Sequence, residues 1–336
     1  MSRATAEMKE CLYYEPAGER VRCTLCPLNC NIAPGKIGAC KVRRNVAGEL
    51  VALTYGQVSS VHLDPIEKKP LFHFYPGSVI LSLGTVGCNL SCLFCQNWTI
   101  SQEMSGTRPL SPEQAVALAE RHAGNLGIAY TYNEPIIWYE YVLETAELAR
   151  ARGLKNVLVT NGFVNPEPWR RLLKTVDAVN IDVKSLSPEF YRRICKGKVE
   201  PVLESVRIAK EEGCLVEVTN LVVTNWNDSE QDMRNLTDWL ASMDPDIPIH
   251  FSRYHPDYKL TEPPTPLATL KRAAEIAREK LRYVYLGNVM GANGEDTLCP
   301  SCGTVVVGRS GYSITRMAVR NGQCESCGQT VPIIGS

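Results

Sequence analysis

Residues 78–98 read S-V-I-L-S-L-G-T-V-G-C-N-L-S-C-L-F-C-Q-N-W. Three cysteines lie within eight residues of this stretch, at Cys88, Cys92 and Cys95. The apolar, β-branched run over residues 79–85 predicts a short buried strand. Gly84 and Gly87 then allow the backbone to turn tightly before the first thiol. The sequence therefore predicts a cysteine loop at the carboxyl end of a strand.

Three thiolates on one loop have a specific use in iron–sulfur chemistry. They can hold three irons of a 4Fe-4S cube, whereas a cube bound by the protein alone needs four cysteines. One iron is then left open, and a metal with an open position binds a small molecule directly, as closed structural sites do not. A zinc knuckle or a chance grouping of cysteines is the alternative interpretation.

The C-x3-C-x2-C spacing, with Phe94 directly before the last cysteine, resembles the signature of radical S-adenosylmethionine (SAM) enzymes. In that superfamily the open iron binds the amino and carboxylate groups of SAM. An electron from the reduced cube splits SAM into methionine and a 5′-deoxyadenosyl radical, which abstracts a hydrogen atom. The resemblance implies that Cys88, Cys92 and Cys95 hold the catalytic 4Fe-4S cluster and that Phe94 lies beside the cofactors, while the protein supplies position and protection.

Composition narrows the class of protein further. With 336 residues the chain is long enough for one large α/β domain or two smaller ones. Its 36 basic and 36 acidic side chains cancel, which leaves no global charge to attract nucleic acid or an anionic membrane. The first ten residues are polar, and no apolar run approaches the ~18 residues of a membrane span. We therefore expect a cytoplasmic protein that binds neither nucleic acid nor membrane.

The grouping of the 14 cysteines favours metal sites over disulfides. Eleven of them fall into three tight groups, which is the pattern of metal-bound thiols kept reduced in the cytosol. The other three, Cys11, Cys195 and Cys214, stand alone in the sequence. We predict that each of these is a small buried hydrophobic side chain.

The first group lies near the amino terminus, at Cys23, Cys26, Cys30 and Cys40. Four thiolates make a closed set of ligands for either a structural zinc or an auxiliary iron–sulfur cluster. A plain zinc ribbon has two C-x2-C pairs, and the x2, x3, x9 spacing of this group differs from that pattern. The sequence leaves both metals open.

The third group lies near the carboxyl terminus, at Cys299, Cys302, Cys324 and Cys327. Two C-x2-C-G pairs at this separation predict a zinc-ribbon-like module, with a rubredoxin-like iron site as the alternative. About 40 residues offer little apolar core, so we expect the module to need its metal in order to fold. The glycine-rich stretch before Glu295 is predicted to be a linker.

Strand and helix patterns alternate from Gly77 onward. The predicted strands cover residues 79–85, 127–132, 156–160, 178–183, 215–223, 247–251 and 283–286. The predicted helices cover residues 111–122, 140–152, 166–176, 203–213, 228–243 and 266–281. Ser111 and Gln114 form a predicted capping box at the start of the first helix.

This alternation predicts parallel strands joined by crossover helices. Six or seven units are fewer than the eight of a closed TIM barrel, so we predict an α/β fold with a partial (β/α)6-type radical SAM barrel that is open on one side. The predicted regions are a four-cysteine region and connector over residues 1–70, the barrel over residues 71–290 and the zinc-ribbon-like module over residues 291–336.

The functional groups of such a barrel lie at the carboxyl ends of its strands. The second strand ends in Tyr132-Asn133-Glu134-Pro135, which matches by position the Gly-Gly-Glu motif of radical SAM enzymes. That family uses the motif to hold the SAM amino group, and here Tyr132 and Asn133 replace the two glycines. The resemblance implies Asn133 and Glu134 as SAM-binding residues, because a carboxylate can accept a hydrogen bond from an ammonium group. A solvated turn is the alternative.

Three further strand ends carry polar side chains. Thr160-Asn161-Gly162 and Asp182-Val183-Lys184 resemble the T-N-G and D-x-K stretches of the pyruvate formate-lyase activating enzyme group. That resemblance implies a cation or a water network beside the SAM carboxylate, formed with Thr160 and Asp182, while Lys184 balances the charge. A buried ion pair between Asp182 and Lys184 is the alternative. From the sixth strand we expect His250 to contact the SAM ribose, with a packing role as the alternative.

Several longer stretches together resemble the AmmeMemoRadiSam-system radical SAM enzymes, in the pyruvate formate-lyase activating enzyme-like branch. They are C-P-L-N-C, K-K-P-L-F-H-F-Y-P-G, G-C-N-L-S-C-L-F-C-Q-N, Y-N-E-P, H-F-S-R-Y-H-P and Y-L-G-N-V. The resemblance implies SAM cleavage, a ferredoxin or flavodoxin as the low-potential electron donor, and a glycyl-radical partner or other protein substrate. Direct modification of a small molecule or peptide, and an iron–sulfur electron-transfer or binding protein, are the alternatives.

Overall fold

The computed structural model describes residues 9–104, 106–289 and 294–336. Most of the polar amino-terminal stretch, and residues 290–293 of the predicted linker, lie outside these residues. No helix within the described ranges is long and apolar enough to cross a membrane.

The region before the main sheet consists of short strands around the first four-cysteine group. They are β1 (Lys9–Glu10), β2 (Tyr14–Ala17), β3 (Arg20–Cys23), β4 (Asn31–Ile32), β5 (Arg43–Val46), β6 (Glu49–Ala52) and β7 (Gln57–Val58). The first six of these strands form two small antiparallel sheets with the orders β1-β6-β5 and β2-β3-β4. Cys23 lies in β3 and Cys40 lies just before β5, so the chain between these two cysteines folds back on itself.

A single eight-stranded sheet forms the centre of the molecule. Its strands, and the short β10 that pairs with β7, are β8 (Ser60–Pro65), β9 (Val79–Gly84), β10 (Arg108–Pro109), β11 (Asn125–Tyr130), β12 (Lys155–Thr160), β13 (Ala178–Asp182), β14 (Leu215–Val222), β15 (Ile249–Arg253) and β16 (Val284–Gly287). The order is β16-β15-β14-β13-β12-β11-β9-β8. Every neighbouring pair from β9 to β16 is parallel, and β8 pairs antiparallel with β9 at one edge.

Helices connect the parallel strands, as the alternation predicts. They are α1 (Trp98–Ser101), α2 (Pro112–Arg121), α3 (Tyr139–Ala151), α4 (Pro166–Leu173), α5 (Pro188–Phe190), α6 (Glu200–Glu211), α7 (Glu230–Met243) and α8 (Leu267–Arg278). Short 3₁₀ helices cover Ile66–Lys68 and Pro135–Trp138, and a π-helical turn covers Tyr191–Cys195. The longer helices bury apolar faces against the sheet in one continuous core.

The predicted fold class is confirmed, with seven parallel strands in the sheet. The capping box is also confirmed, because Ser111 Oγ accepts from Gln114 N at 3.3 Å and Gln114 Oε1 accepts from Ser111 N at 2.9 Å. Several helix boundaries differ from the predicted ones, by up to three residues. The helix predicted to start at Leu203 is α6, which begins three residues earlier, because Pro201 is well tolerated in the first turn. The helix predicted over residues 166–176 is α4, which ends at Leu173.

The carboxyl-terminal module packs directly on the barrel. Its strands are β17 (Thr297–Leu298), β18 (Val305–Ser310), β19 (Ser313–Met317), β20 (Val319–Arg320) and β21 (Gln323–Cys324). Phe72 and Tyr285 of the barrel share an apolar cluster with Val306 of the module. The backbone at Ile334 pairs with the segment that precedes β9, where Tyr75 N donates to Ile334 O at 2.7 Å. The module therefore closes part of the side that the incomplete barrel leaves open.

Candidate active site and metal centres

The cysteine loop leaves the sheet directly after β9, at a point of close backbone contact. A Cβ added to Gly84 would lie 2.9 Å from Thr131 O of the neighbouring strand. Gly87 has φ +93°, and a Cβ there would lie 2.6 Å from Cys40 O of the amino-terminal region. Both positions therefore require glycine, which fixes the path of the chain into Cys88.

Asn133 forms hydrogen bonds with the backbone at the start of this loop. Its Oδ1 accepts from Thr85 N at 3.1 Å, and its Nδ2 donates to Gly87 O at 2.9 Å. Both polar atoms of the Asn133 side chain are thus hydrogen-bonded to the backbone that leads to Cys88. The structure places this predicted SAM-binding residue at the site, in contact with the loop.

Asn161 joins the loop to the end of β12. Its Nδ2 lies 3.6 Å from Cys88 Sγ and 3.0 Å from Asn89 Oδ1. The backbone N–H of Leu90 also points at Cys88 Sγ, at 3.4 Å. Burial, with the nearby Glu134 carboxylate, raises the pKa of the Cys88 thiol well above its ordinary value, and the hydrogen bond from Leu90 N acts to lower it.

The three loop sulfurs do not lie close enough together to share a single metal ion. Among the described residues, the only set of three or more potential metal ligands within 4.8 Å of one another is the carboxyl-terminal cysteine group. The sulfurs of Cys88, Cys92 and Cys95 are therefore spread more widely than a mononuclear zinc would require. A three-cysteine set with wide spacing fits a 4Fe-4S cube.

Glu134 lies buried beside the loop, with 2% of its surface exposed. Its Oε1 accepts from Thr160 Oγ1 at 2.7 Å and from Ile136 N at 3.0 Å, and its Oε2 accepts from Asn161 N at 2.8 Å. Burial raises the pKa of Glu134 to about 7, although these hydrogen bonds act to lower it. The structure thus brings Glu134 and Thr160 together at the ends of β11 and β12, and Oε2 keeps a lone pair for a further donor.

Lys184 and Asp182 form an ion pair at the end of β13. Lys184 Nζ lies 3.0 Å from Asp182 Oδ2 and 5.6 Å from the ring centroid of Phe94. Burial acts to lower the pKa of Lys184, but the Asp182 carboxylate raises it well above its ordinary value. The lysine therefore stays charged and places a positive charge beside the loop that carries Phe94.

His250 lies two strands further along the sheet, in a buried polar network. Asp182 is level with Thr219 in the sheet, and Thr219 is level with His250. His250 Nε2 is 2.6 Å from Glu217 Oε2, and its ring stacks on Tyr285 with centroids 5.1 Å apart. Because Nε2 of His250 is bonded to Glu217, Nδ1 is the ring nitrogen that remains for contact with a ligand.

A cavity of about 580 Å³ opens next to His250. Thr219, His250 and Ser252 line it from the strand ends, and Glu67 and Tyr312 line it from the segment before β9 and from the carboxyl-terminal module. Glu67 is buried, and its Oε2 has no hydrogen-bond partner among the described residues. The cavity has the size of a small-molecule site and presents polar groups to its interior.

The carboxyl-terminal cysteines form a compact metal site. The four sulfur atoms lie within 4.8 Å of one another, with Cys299 Sγ 3.6 Å from Cys327 Sγ and Cys302 Sγ 3.8 Å from Cys324 Sγ. A zinc–sulfur bond of ≈ 2.3 Å gives tetrahedral edges of about 3.8 Å, so these distances fit one tetrahedral ion. The predicted four-thiolate site is present, and its geometry does not distinguish zinc from iron.

The three isolated cysteines differ in their surroundings. Cys11 and Cys195 are buried, as predicted, whereas Cys214 is half-buried. The carbonyl of Cys195 accepts from Ser91 N at 3.0 Å, in the middle of the cysteine loop. Cys195 therefore lies beside the cysteine loop, although it is far from that loop in the sequence.

Sequence reasoning missed several polar residues of the site. Asn89, Asn161 and Glu217 all make buried hydrogen bonds at the strand ends, and none of the three is among the predicted site residues. Its position after a strand, between Thr160 and Gly162, was the one available signal. Glu217 had none, because a glutamate in an otherwise apolar strand has no partner visible in sequence.

Comparison with known proteins agrees with this arrangement. Residues 82–240 match the family model described as Radical SAM superfamily. The chain is 45% identical over 336 residues to "Uncharacterized protein MJ0808" of Methanocaldococcus jannaschii, covering 97% of this chain and 100% of that protein. It is 24% identical over 176 residues to pyruvate formate-lyase 1-activating enzyme of Escherichia coli K12, covering 50% of this chain and 71% of that enzyme.

The fold is similar to that of a radical SAM methyltransferase from Sphaerobacter thermophilus, with a TM-score of 0.52 and 17% identity over 68% of this chain and 71% of that one. A parallel α/β sheet with a three-cysteine loop after its first parallel strand defines the class of protein. The chain belongs to the same family as the Methanocaldococcus jannaschii protein, and its residues 82–240 match the Radical SAM superfamily. Its relatives include activating enzymes of pyruvate formate-lyase, at a distance.

Proposed function

We propose that this protein cleaves SAM reductively at a 4Fe-4S cluster held by Cys88, Cys92 and Cys95, and that it abstracts a hydrogen atom from a substrate. The observation that carries the proposal is the widely spaced three-sulfur set on a loop fixed by Gly84, Gly87 and neighbouring amides. When bound, the cluster and SAM supply a one-electron cleavage that yields methionine and a 5′-deoxyadenosyl radical.

The protein's polar groups are arranged to hold SAM from several strand ends. Glu134 Oε2 accepts a hydrogen bond from the SAM ammonium group with its remaining lone pair, while Asn133 and Thr160 keep the loop and the carboxylate in place. Lys184 balances the SAM carboxylate, with Asp182 orienting its ammonium group. Phe94 covers the loop from water, and His250 Nδ1 serves a ribose hydroxyl group.

The first candidate target is a glycine of a glycyl-radical enzyme. The similarity to an enzyme named for activating pyruvate formate-lyase favours this target, and the resemblance to the AmmeMemoRadiSam-system enzymes is consistent with it. A ferredoxin or a flavodoxin would supply the electron at low potential. In this case a loop of the partner protein would carry the glycine into the barrel.

The second candidate target is a small molecule or a peptide side chain. The 580 Å³ cavity beside His250 favours it, because the carboxyl-terminal module covers that side of the barrel and narrows the room for a protein loop. We propose that zinc holds this module together through Cys299, Cys302, Cys324 and Cys327. The module would then form one wall of the substrate site.

Production of 5′-deoxyadenosine tests SAM cleavage. The wild-type protein, reconstituted with iron and sulfide without oxygen and reduced with dithionite, is expected to form 5′-deoxyadenosine from SAM. The Cys88/Cys92/Cys95→Ala protein is expected to form none, and Cys214→Ser, which is remote from the loop, is expected to match the wild type. Equal product from the triple variant would disprove the proposal.

Isotope transfer separates the two targets. Candidate proteins labelled with deuterated glycine should pass deuterium into 5′-deoxyadenosine if the target is a glycyl-radical enzyme. A deuterated small-molecule substrate should do so under the second candidate. Transfer from only one class of donor would decide between them.

A further inference from the structure

The four amino-terminal cysteines meet around one cavity, although they span eighteen residues of sequence. Cys23 N donates to Cys30 O at 2.9 Å, which closes the β3–β4 hairpin and faces these two residues toward each other. All four cysteines line the cavity, together with apolar side chains and Arg43.

The four sulfurs are too widely spaced for a single tetrahedral ion. The carboxyl-terminal group provides an internal standard, because its four sulfurs all lie within 4.8 Å of one another. Within the described ranges no three amino-terminal sulfurs meet that limit. A 4Fe-4S cluster places four irons and four sulfides between its thiolate ligands. The ligand sulfurs are therefore further apart than those around a single ion.

The three-cysteine loop supports this comparison. Its sulfurs also fall outside the 4.8 Å limit, and this loop carries the 4Fe-4S cluster in the function proposed above. The amino-terminal group therefore has the looser spacing of the cluster loop and lacks the tight spacing of the carboxyl-terminal group.

Arg43 adds an independent observation. The side chain is buried, with 1% of its surface exposed, and lines the cysteine cavity. Its Nη1 lies 3.7 Å from Cys23 Sγ and its Nη2 is paired with Glu140, while its Nε has no partner among the described residues. A buried N–H without an acceptor is costly, and the sulfides and thiolates of an anionic cluster would accept it.

We propose that Cys23, Cys26, Cys30 and Cys40 bind a second 4Fe-4S cluster, in which every iron is closed by a protein thiolate. The cluster would lie next to the catalytic loop, because Cys40 O stands 2.6 Å from the Cβ position of Gly87. Lys41 Nζ also donates to Gln102 O at 2.5 Å, just after the loop. Cys11 is buried nearby but does not line the cavity, so it is left out of the ligand set.

Metal counting in the full-length chain tests this assignment without relying on SAM cleavage. The Cys88/Cys92/Cys95→Ala protein, reconstituted anaerobically with iron and sulfide, is expected to keep about four irons and about four sulfides. After reduction it should give an EPR signal that SAM leaves unchanged, because no iron is open. The wild type should hold about eight irons, a count that does not depend on any variant folding.

Two variants in the triple-alanine background identify the ligands. Adding Cys26→Ala and Cys30→Ala is expected to remove the remaining iron, whereas Cys11→Ala is expected to keep it. Zinc in place of that iron, or about four irons in the wild type, would overturn the proposal. Iron that survives the Cys26 and Cys30 replacements would overturn it as well. Loss of SAM cleavage with the amino-terminal iron still present would count only against the proposed function.

Discussion

At the scale of single residues, Glu134 is the buried group whose ionisation has the clearest consequence. Three protein donors hold its carboxylate, yet burial raises its pKa to about 7 from an ordinary value of 4.5. A carboxyl group with a raised pKa favours the folded state while it is protonated. Its contribution is complete below the unfolded pKa and is lost as the pH rises through about 7.

The Glu134→Gln variant isolates this contribution, because glutamine cannot ionise. We expect the stability of the wild type relative to Glu134→Gln to fall by about 3 kcal/mol between pH 4.5 and pH 7.5, as the buried carboxyl group becomes charged. Urea unfolding at a series of pH values measures the difference. The exposed Glu189→Gln change is the control, and a pH-independent difference at Glu134 would contradict the raised pKa.

The sequence predicts the cysteines and Glu134 as site residues because their chemistry is visible in residue type and spacing. It did not identify the amides that hold them. Asn89 bonds to Asn161 and to the carbonyl of Phe163, and both partners lie more than seventy residues from it in the chain. Only the packing of the strand ends brings these residues together. Hydrogen bonds of this kind are set by loop geometry, which local sequence does not determine.

At the scale of elements, the loop between β9 and Cys88 depends on its contact with the amino-terminal region. Gly87 has φ +93° and faces Cys40 O, whereas Gly48 has nearly the same φ of +94° with no atom near its Cβ position. The two glycines therefore share the same backbone strain and differ in steric contact. They form a matched pair for mutation.

We expect Gly48→Ala to cost about 1–2 kcal/mol, the usual cost of a left-handed alanine. Gly87→Ala should cost clearly more, by about 2 kcal/mol or beyond, because the Cβ would also collide with a carbonyl oxygen and Val42. Urea unfolding of both variants measures the difference. Equal costs would show that the loop and the amino-terminal region are not in tight contact.

The strand–helix alternation was sufficient to predict the parallel sheet, because each unit carries its own periodicity and caps. The order of the short strands around the first cysteine group could not be predicted in the same way. Strands of two to four residues such as β1 and β4 have no periodicity, and their pairing is set by the hairpins and by Arg43 packed beneath them. The antiparallel β8 was likewise only a connector in the sequence.

At the scale of the whole molecule, Arg309 joins the carboxyl-terminal module to the barrel. Its Nη2 donates to Phe72 O at 2.7 Å and its Nη1 donates to Thr297 Oγ1 at 2.9 Å. Its Nε lies 3.8 Å from Glu67 Oε1, and both side chains are fully buried. One side chain therefore connects the module, the segment before β9 and the wall of the large cavity.

Arg309→Met should destabilise the protein by about 3–5 kcal/mol, because it leaves the Glu67 carboxylate buried without its cation. Adding Glu67→Gln to this variant should recover part of the loss, since the unpaired charge is then gone. Arg316→Met, on the exposed face of β19, should have little effect. Urea unfolding of the wild type, Arg309→Met, Glu67→Gln, the double variant and Arg316→Met measures the coupling, and additive effects of the two single changes would argue against the ion pair.

The response of the reduced iron–sulfur signal to SAM tests the central claim most directly, because only an open iron can bind SAM. EPR spectra of the reduced wild-type protein are recorded with and without SAM, beside those of the Cys88/Cys92/Cys95→Ala protein. The account predicts that SAM changes the wild-type spectrum and leaves the variant spectrum unchanged. A reduced wild-type spectrum that is identical with and without SAM, or a spectral change with SAM that persists in the variant, would contradict it.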